Sequence, residues 1–152
     1  MREIDALYQE VILDHYRHPR NAGSLEHEPL HVHENPACGD AFKVKVLLEH
    51  RVVTSVVFDG AGCAISTASA SMMSELIINK KQDVALNNLT LFIMTMRGEL
   101  PPETLDELGE VAALGSVVRF PVRVKCATLA WHAAAEHLSR AVACGDNNEC
   151  TH

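Results

Sequence analysis

Three of the chain's five cysteines stand in settings suited to chemistry. Cys38 lies in the run Asn35–Pro36–Ala37–Cys38–Gly39–Asp40. Residues two apart in an extended segment face the same side, so Cys38 and Asp40 can address one ion, and Gly39 lets the backbone bend between them. Cys63 follows Gly60–Ala61–Gly62 where a strand passes into a helix. Thiols at such helix starts have lowered pKa, because unpaired N–H groups and the helix dipole favour thiolate. Cys126 comes five residues after Pro121, in the second turn of its helix, with Lys125 directly before it. Three thiolates and the Asp40 carboxylate would give tetrahedral S₃O ligation, suited to zinc. That set with Zn²⁺ carries a net −2, which Arg123 and Lys125 can offset unless they are merely solvated.

The competing expectation is three separate thiols in a core, since free cysteine is among the most buried residue types. Intervals of 24 residues between Cys38 and Cys63, and 62 between Cys63 and Cys126, match no zinc ribbon or finger. If the site is shared, metal binding would order the loops, because binding free energy becomes folding free energy. The carboxylate is the hardest of the four ligands, so the centre is less locked than Cys₄ and can trade a ligand with a partner. A freed cysteine then becomes a nucleophile able to accept sulfur.

The elements that must position these groups follow from hydrophobic period. Ile4, Leu7, Tyr8, Val11 and His15 recur at helical spacing, giving a helix from about residue 4 to 16, ended by Pro19 and the Asn21–Gly23 stretch. A short strand is expected near 30–33. Phe42, Val44, Val46 and Leu48 alternate with polar residues, and Val52–Phe58 is β-branched and apolar, so the two read as an antiparallel hairpin. Helices are expected over 63–79, its first half lined with small residues, over 84–97, closed by Gly98, and from Pro121 to about 142. Between them Pro101–Pro102 opens a shorter helix and 108–115 holds a helical turn. The fold class is α+β: one domain over 1–142, a small antiparallel sheet of about three strands packed by several helices, and a loose polar tail over 143–152.

Length and composition agree with one globular unit. The chain has 152 residues, 47% hydrophobic and 22% charged. Its net charge of −7 disfavours nucleic acid as the main partner, since phosphate neutralisation needs clustered Lys and Arg. The longest apolar stretch, Val84 to Met96, is too short to span a membrane and carries two Asn. The first ten residues show no secretion signal, so the expected address is the cytoplasm, where disulfides are rare. His27, His31 and His33 share a loop that lacks companion ligands in a rigid frame, so no second metal site is expected there. His15 and His18 are expected to cap or pair near the helix end, and Cys144 and Cys150 to be exposed tail thiols.

These residues resemble the IscU/SufU family of iron–sulfur cluster assembly proteins. Asn35–Pro36 before Cys38–Gly39–Asp40 resembles the family's first cysteine loop. The run Gly60–Ala61–Gly62–Cys63–Ala64–Ile65–Ser66, continuing through Met73, is similar to the second motif, and Phe120 through Cys126 to Trp131 resembles the third. Scaffolds of the IscU type carry His immediately before the third cysteine; here Lys125 stands there, and the stretch before it is longer, both as in the SufU branch. That branch implies a zinc-dependent sulfur acceptor for a SufS-type cysteine desulfurase, a partner rather than a stand-alone enzyme. Cys38, Asp40, Cys63 and Cys126 would be its zinc ligands. A desulfurase His would take over one zinc bond, releasing Cys38 to receive persulfide sulfur, with Arg123 docking the partner or steadying the thiolate. The alternative is a scaffold holding an Fe–S cluster on the same four residues and passing it through the Fe–S assembly machinery.

Overall fold

The structure, a computed structural model, describes the backbone of residues 2–144 and the side chains of residues 8–140. Three strands, β1 (His33–Asn35), β2 (Asp40–Glu49) and β3 (Val52–Ala61), form an antiparallel sheet in the order β1-β2-β3. The alternation along β2 puts Phe42, Val44, Val46 and Leu48 into the core. β3 runs three residues past Phe58, because Asp59, Gly60 and Ala61 still pair with Lys43, Phe42 and Ala41. The first strand begins where the sequence expected it to end, at His33, and pairs Asn35 with Asp40.

Because β1 is only three residues long, the outer edge of β2 has no strand partner beyond Phe42. Unpaired edge N–H groups must be satisfied or covered. Helix α4 (Pro121–Cys144) covers this edge, and the buried ring of His137 accepts the Val46 N–H through Nδ1 at 2.9 Å.

Helices α1 (Arg2–Arg17), α2 (Ala64–Ile77), α3 (Gln82–Met96) and α4 complete the fold. Small residues Ala68, Ser69, Ala70 and Ser71 of α2 are fully buried, so neighbouring backbones approach closely. Trp131 of α4 is also fully buried, stacks on Phe92 of α3 with ring centroids 3.8 Å apart, and donates its Nε1–H to Ser69 Oγ at 2.7 Å. One indole thus ties α2, α3 and α4. Of the two roles expected of His15, capping or pairing, the structure shows pairing, with Glu110 at 3.4 Å. Its ring is buried and bonds Ser71 Oγ at 2.7 Å, while exposed His18 sits 3.7 Å from Asp14. The two helical pieces expected after Pro101 are both present as 3₁₀ turns within Pro102–Arg119, separated by a kink at Leu108 and Gly109 where the backbone leaves helical angles. From residue 145 onward the expected tail, with Cys150, lies outside the described residues.

Candidate metal centre

Asn35 closes β1 and organises the turn that follows. Its carbonyl accepts the N–H groups of Cys38 and Gly39 at 3.1 and 2.9 Å, and its side-chain Oδ1 accepts Ala37 N–H at 3.3 Å. Gly39 takes φ +73°, a left-handed value that glycine adopts without steric cost. Cys38 and Asp40 therefore are not two positions of an extended segment. Cys38 rides in a tight turn while Asp40 begins β2, and the turn rather than strand alternation brings them together.

Cys63 is the N-cap of α2, its sulfur accepting Ser66 N–H at 3.5 Å. The Asp40 carboxylate holds this junction from below. Oδ1 accepts Cys63 N–H at 3.0 Å, and Cys63 Sγ donates to Oδ2 at 3.7 Å. Gly62 makes the approach possible, since a Cβ there would overlap Ser66 Oγ and lie 3.1 Å from Asp40 Cγ. Cys126, in the second turn of α4, is buried and donates its S–H to Cys38 Sγ at 3.1 Å.

Three of the four expected groups meet at one place, and Cys63 stands beside them. Donor atoms of Cys38, Asp40 and Cys126 all lie within 4.8 Å of one another, and Cys63 joins through Asp40. Arg123 and Lys125 are exposed on the same end of α4. Cys38 and Cys63 are half-buried, Cys126 and Asp40 buried. Burial, and then hydrogen bonding to Cys38 and Asp40, pushes the Cys126 thiol well above its ordinary 9.0. It is a neutral thiol unless a cation draws off its proton.

This donor set fits a tetrahedral ion of the zinc kind. At Zn–S bonds of ~2.3 Å, tetrahedral sulfurs stand ~3.8 Å apart. Cys63 Sγ and Asp40 Oδ2, at 3.7 Å, stand near the ~3.5 Å of a sulfur–oxygen pair on such an ion, whereas Cys38 and Cys126, joined by S–H···S, would part by ~0.7 Å. Three soft sulfurs and one oxygen equally suit iron of an Fe–S centre.

Sequence reasoning missed Asn35 as part of the site. Its Nδ2 donates to Cys38 Sγ at 3.6 Å and Cys126 Sγ at 3.5 Å. The only signal was its place before Pro36 in the first cysteine loop. The histidine loop also differs from expectation. Glu136, on rigid α4, faces both His31 and His33, while His27 is exposed.

A three-stranded antiparallel sheet with helices packed around it, and with Cys38, Asp40 and Cys126 gathered at its loop end beside Cys63, defines a small α+β domain that carries a thiol cluster. Residues 7–127 match the NifU-like N-terminal domain, and the chain belongs to that family, the IscU/SufU group of iron–sulfur cluster assembly proteins. It is similar to the zinc-dependent sulfurtransferase SufU of Bacillus subtilis, 42% identical over 130 residues, which span 86% of this chain and 88% of the relative. It is also similar to the iron–sulfur cluster assembly scaffold protein IscU of Streptococcus pyogenes, 36% identical over 140 residues, 92% of this chain and 87% of that one. A crystal structure of a candidate SUF-system scaffold protein from Fervidobacterium islandicum superposes with TM-score 0.73 at 32% identity, covering 85% of this chain and 94% of that one. Among the described residues no helix is long and apolar enough to cross a membrane.

Proposed function

We propose that this chain is a zinc-dependent sulfur acceptor that takes persulfide sulfur from a SufS-type cysteine desulfurase in the cytoplasm, with Cys38 as the receiving thiol. The observation that carries this reading is the unequal standing of the three sulfurs. Cys126 is buried and Cys63 is fixed as a helix cap, while Cys38 is half-buried in a turn beside Gly39. Only that sulfur can swing outward without unfolding a helix.

Cys38, Asp40, Cys63 and Cys126 would hold the zinc, whose bound charge favours thiolate over thiol. In the transfer, the Cys38 thiolate attacks the outer sulfur of the desulfurase persulfide. A new S–S bond forms to Cys38, the enzyme's S–S bond breaks, and the electron pair leaves with the enzyme's cysteine as thiolate. The exchange needs no oxidant. Exposed Phe120 and Val122, at 58% and 59%, flank the start of α4 one turn before Cys126 and supply apolar surface for a docking enzyme, with exposed Arg123 following them. Lys125 before Cys126 and the similarity to SufU support this assignment.

The test is mass spectrometry after incubation with desulfurase and cysteine. An adduct of about 32 Da, one sulfur atom, is expected on Cys38, together with faster cysteine turnover. Cys38→Ala should abolish both, and an unchanged turnover rate in the presence of the zinc-loaded protein would overturn the reading. A scaffold role on the same donors has the similarity to IscU in its favour. It requires instead that anaerobic reconstitution give a stable chromophore transferable to an apo-ferredoxin.

A further inference from the structure

Ten residues beyond Cys126 on α4, about 15 Å along the helix, Glu136 meets the histidine loop. Its Oε2 lies 3.1 Å from His33 Nε2 and 3.5 Å from His31 Nδ1, and one donor atom from each of the three falls within 4.8 Å of the others. Around a tetrahedral ion with N and O ligands at ~2.0–2.1 Å, donors stand ~3.3–3.4 Å apart. The observed spacings bracket that value.

Two of the three members are held by different supports. β1 fixes His33 through its pairing with Phe42, and α4 fixes Glu136. Arg140 takes the other carboxylate oxygen at 2.9 Å, which orients Glu136 and leaves Oε2 turned to the two rings. His33 Nδ1 is buried without a hydrogen-bond partner, so the ring's hydrogen bonding goes through Nε2 to Glu136, and the ring packs on that of His31 with centroids 4.4 Å apart. His31 is exposed, leaving an open side for water.

We propose that His31, His33 and Glu136 form a second divalent-cation site, separate from the thiol centre. Its two imidazoles and one carboxylate suit Zn²⁺ or Co²⁺, with water in the fourth position. An ion there would clip the His27–His33 loop to α4. The site owes nothing to the sulfur-transfer reading, because it shares no ligand with it.

Cobalt distinguishes the two sites, since thiolate ligation gives intense charge-transfer absorption that imidazole and carboxylate lack. Titration of the metal-stripped full chain with Co²⁺, with bound metal counted after equilibrium dialysis, should show a second equivalent that adds no such absorption. Glu136→Gln should lose that equivalent and keep the thiolate bands. His31→Ala, at an exposed position that cannot disturb the core, should do the same. Cys38→Ser should weaken the thiolate bands and leave the other equivalent in place. Should the thiol centre take no cobalt, the band-free equivalent is still expected and still lost with Glu136. Its absence from the wild type, or its persistence in both the Glu136 and His31 variants, overturns the proposal.

Discussion

The side-chain amide of Asn35 donates to the sulfur of Cys126 at 3.5 Å, although 91 positions separate the two residues. The same nitrogen reaches Cys38 Sγ at 3.6 Å, and Asn35 is itself buried. Hydrogen bonds to thiolate sulfur stabilise its charge and fix its direction, which is the usual task of groups behind metal ligands. Asn35→Ala is therefore expected to weaken zinc binding by about 10–100-fold. Competition against a chromophoric chelator measures this, and an unchanged affinity would remove Asn35 from the site.

Gly62 is the second positioning device. A methyl group there would run into Ser66 Oγ and press on Phe42 and Asp40, at 3.0 and 3.1 Å. None of these can yield freely. Phe42 is core, Ser66 lies in the first turn of α2, and Asp40 is gripped by the Cys63 amide. Gly62→Ala is expected to displace the carboxylate and lower metal stoichiometry while far-ultraviolet circular dichroism stays near that of the wild type. Full metal content in this variant would show that the corner has more play than its contacts indicate.

How far the sequence discloses this site depends on the range over which each constraint acts. The β2–β3 hairpin was legible because alternation in Phe42–Leu48 is a local consequence of one buried face. The junction at Cys63 was legible because Gly60 and Gly62 announce a close approach. Convergence of Cys38, Cys63 and Cys126 could be suspected from their places at element ends and was strengthened by family resemblance. The means of convergence stayed hidden. Strand geometry was expected to align Cys38 with Asp40, but Asn35 builds a turn instead, using backbone and side-chain bonds that no periodicity records. Glu136 was invisible as a partner of His31 and His33, since its pairing spans 103 residues and depends on how α4 crosses the sheet edge. The partners of His15 were hidden for the same reason, because Ser71 lies 56 residues away.

Cys126 gives the pH dependence a definite sign. Burial raises its folded-state pKa above the ordinary 9.0, so the metal-free fold holds a proton that the unfolded chain releases sooner. Such a group contributes stability that is fully present below the unfolded value and is lost as pH rises past it. The melting temperature of the metal-free protein should therefore fall as pH passes about 9, and Cys126→Ala should flatten that fall. Metal affinity should rise over neutral to alkaline pH, since this thiol must shed its proton to bind. A melting curve for the metal-free protein that is flat or rising above pH 9 would contradict the assignment.

Cys38 and Cys126 also form the closest pair of sulfurs at the site, 3.1 Å apart against ~2.05 Å in a disulfide. Bond formation needs a movement of ~1 Å, and the turn around Gly39 has open space to supply it. Cys63 differs because its sulfur faces Asp40 and caps α2. In a Cys144→Ser, Cys150→Ser background, mild oxidation of the metal-free protein should join Cys38 to Cys126 and leave Cys63 alkylatable. A bound zinc ion parts the two sulfurs and occupies the lone pairs that would attack, so loading should slow the reaction strongly. Non-reducing peptide mapping reads both outcomes. A crosslink that includes Cys63, or oxidation indifferent to zinc, would mean that the sulfurs do not share one ion.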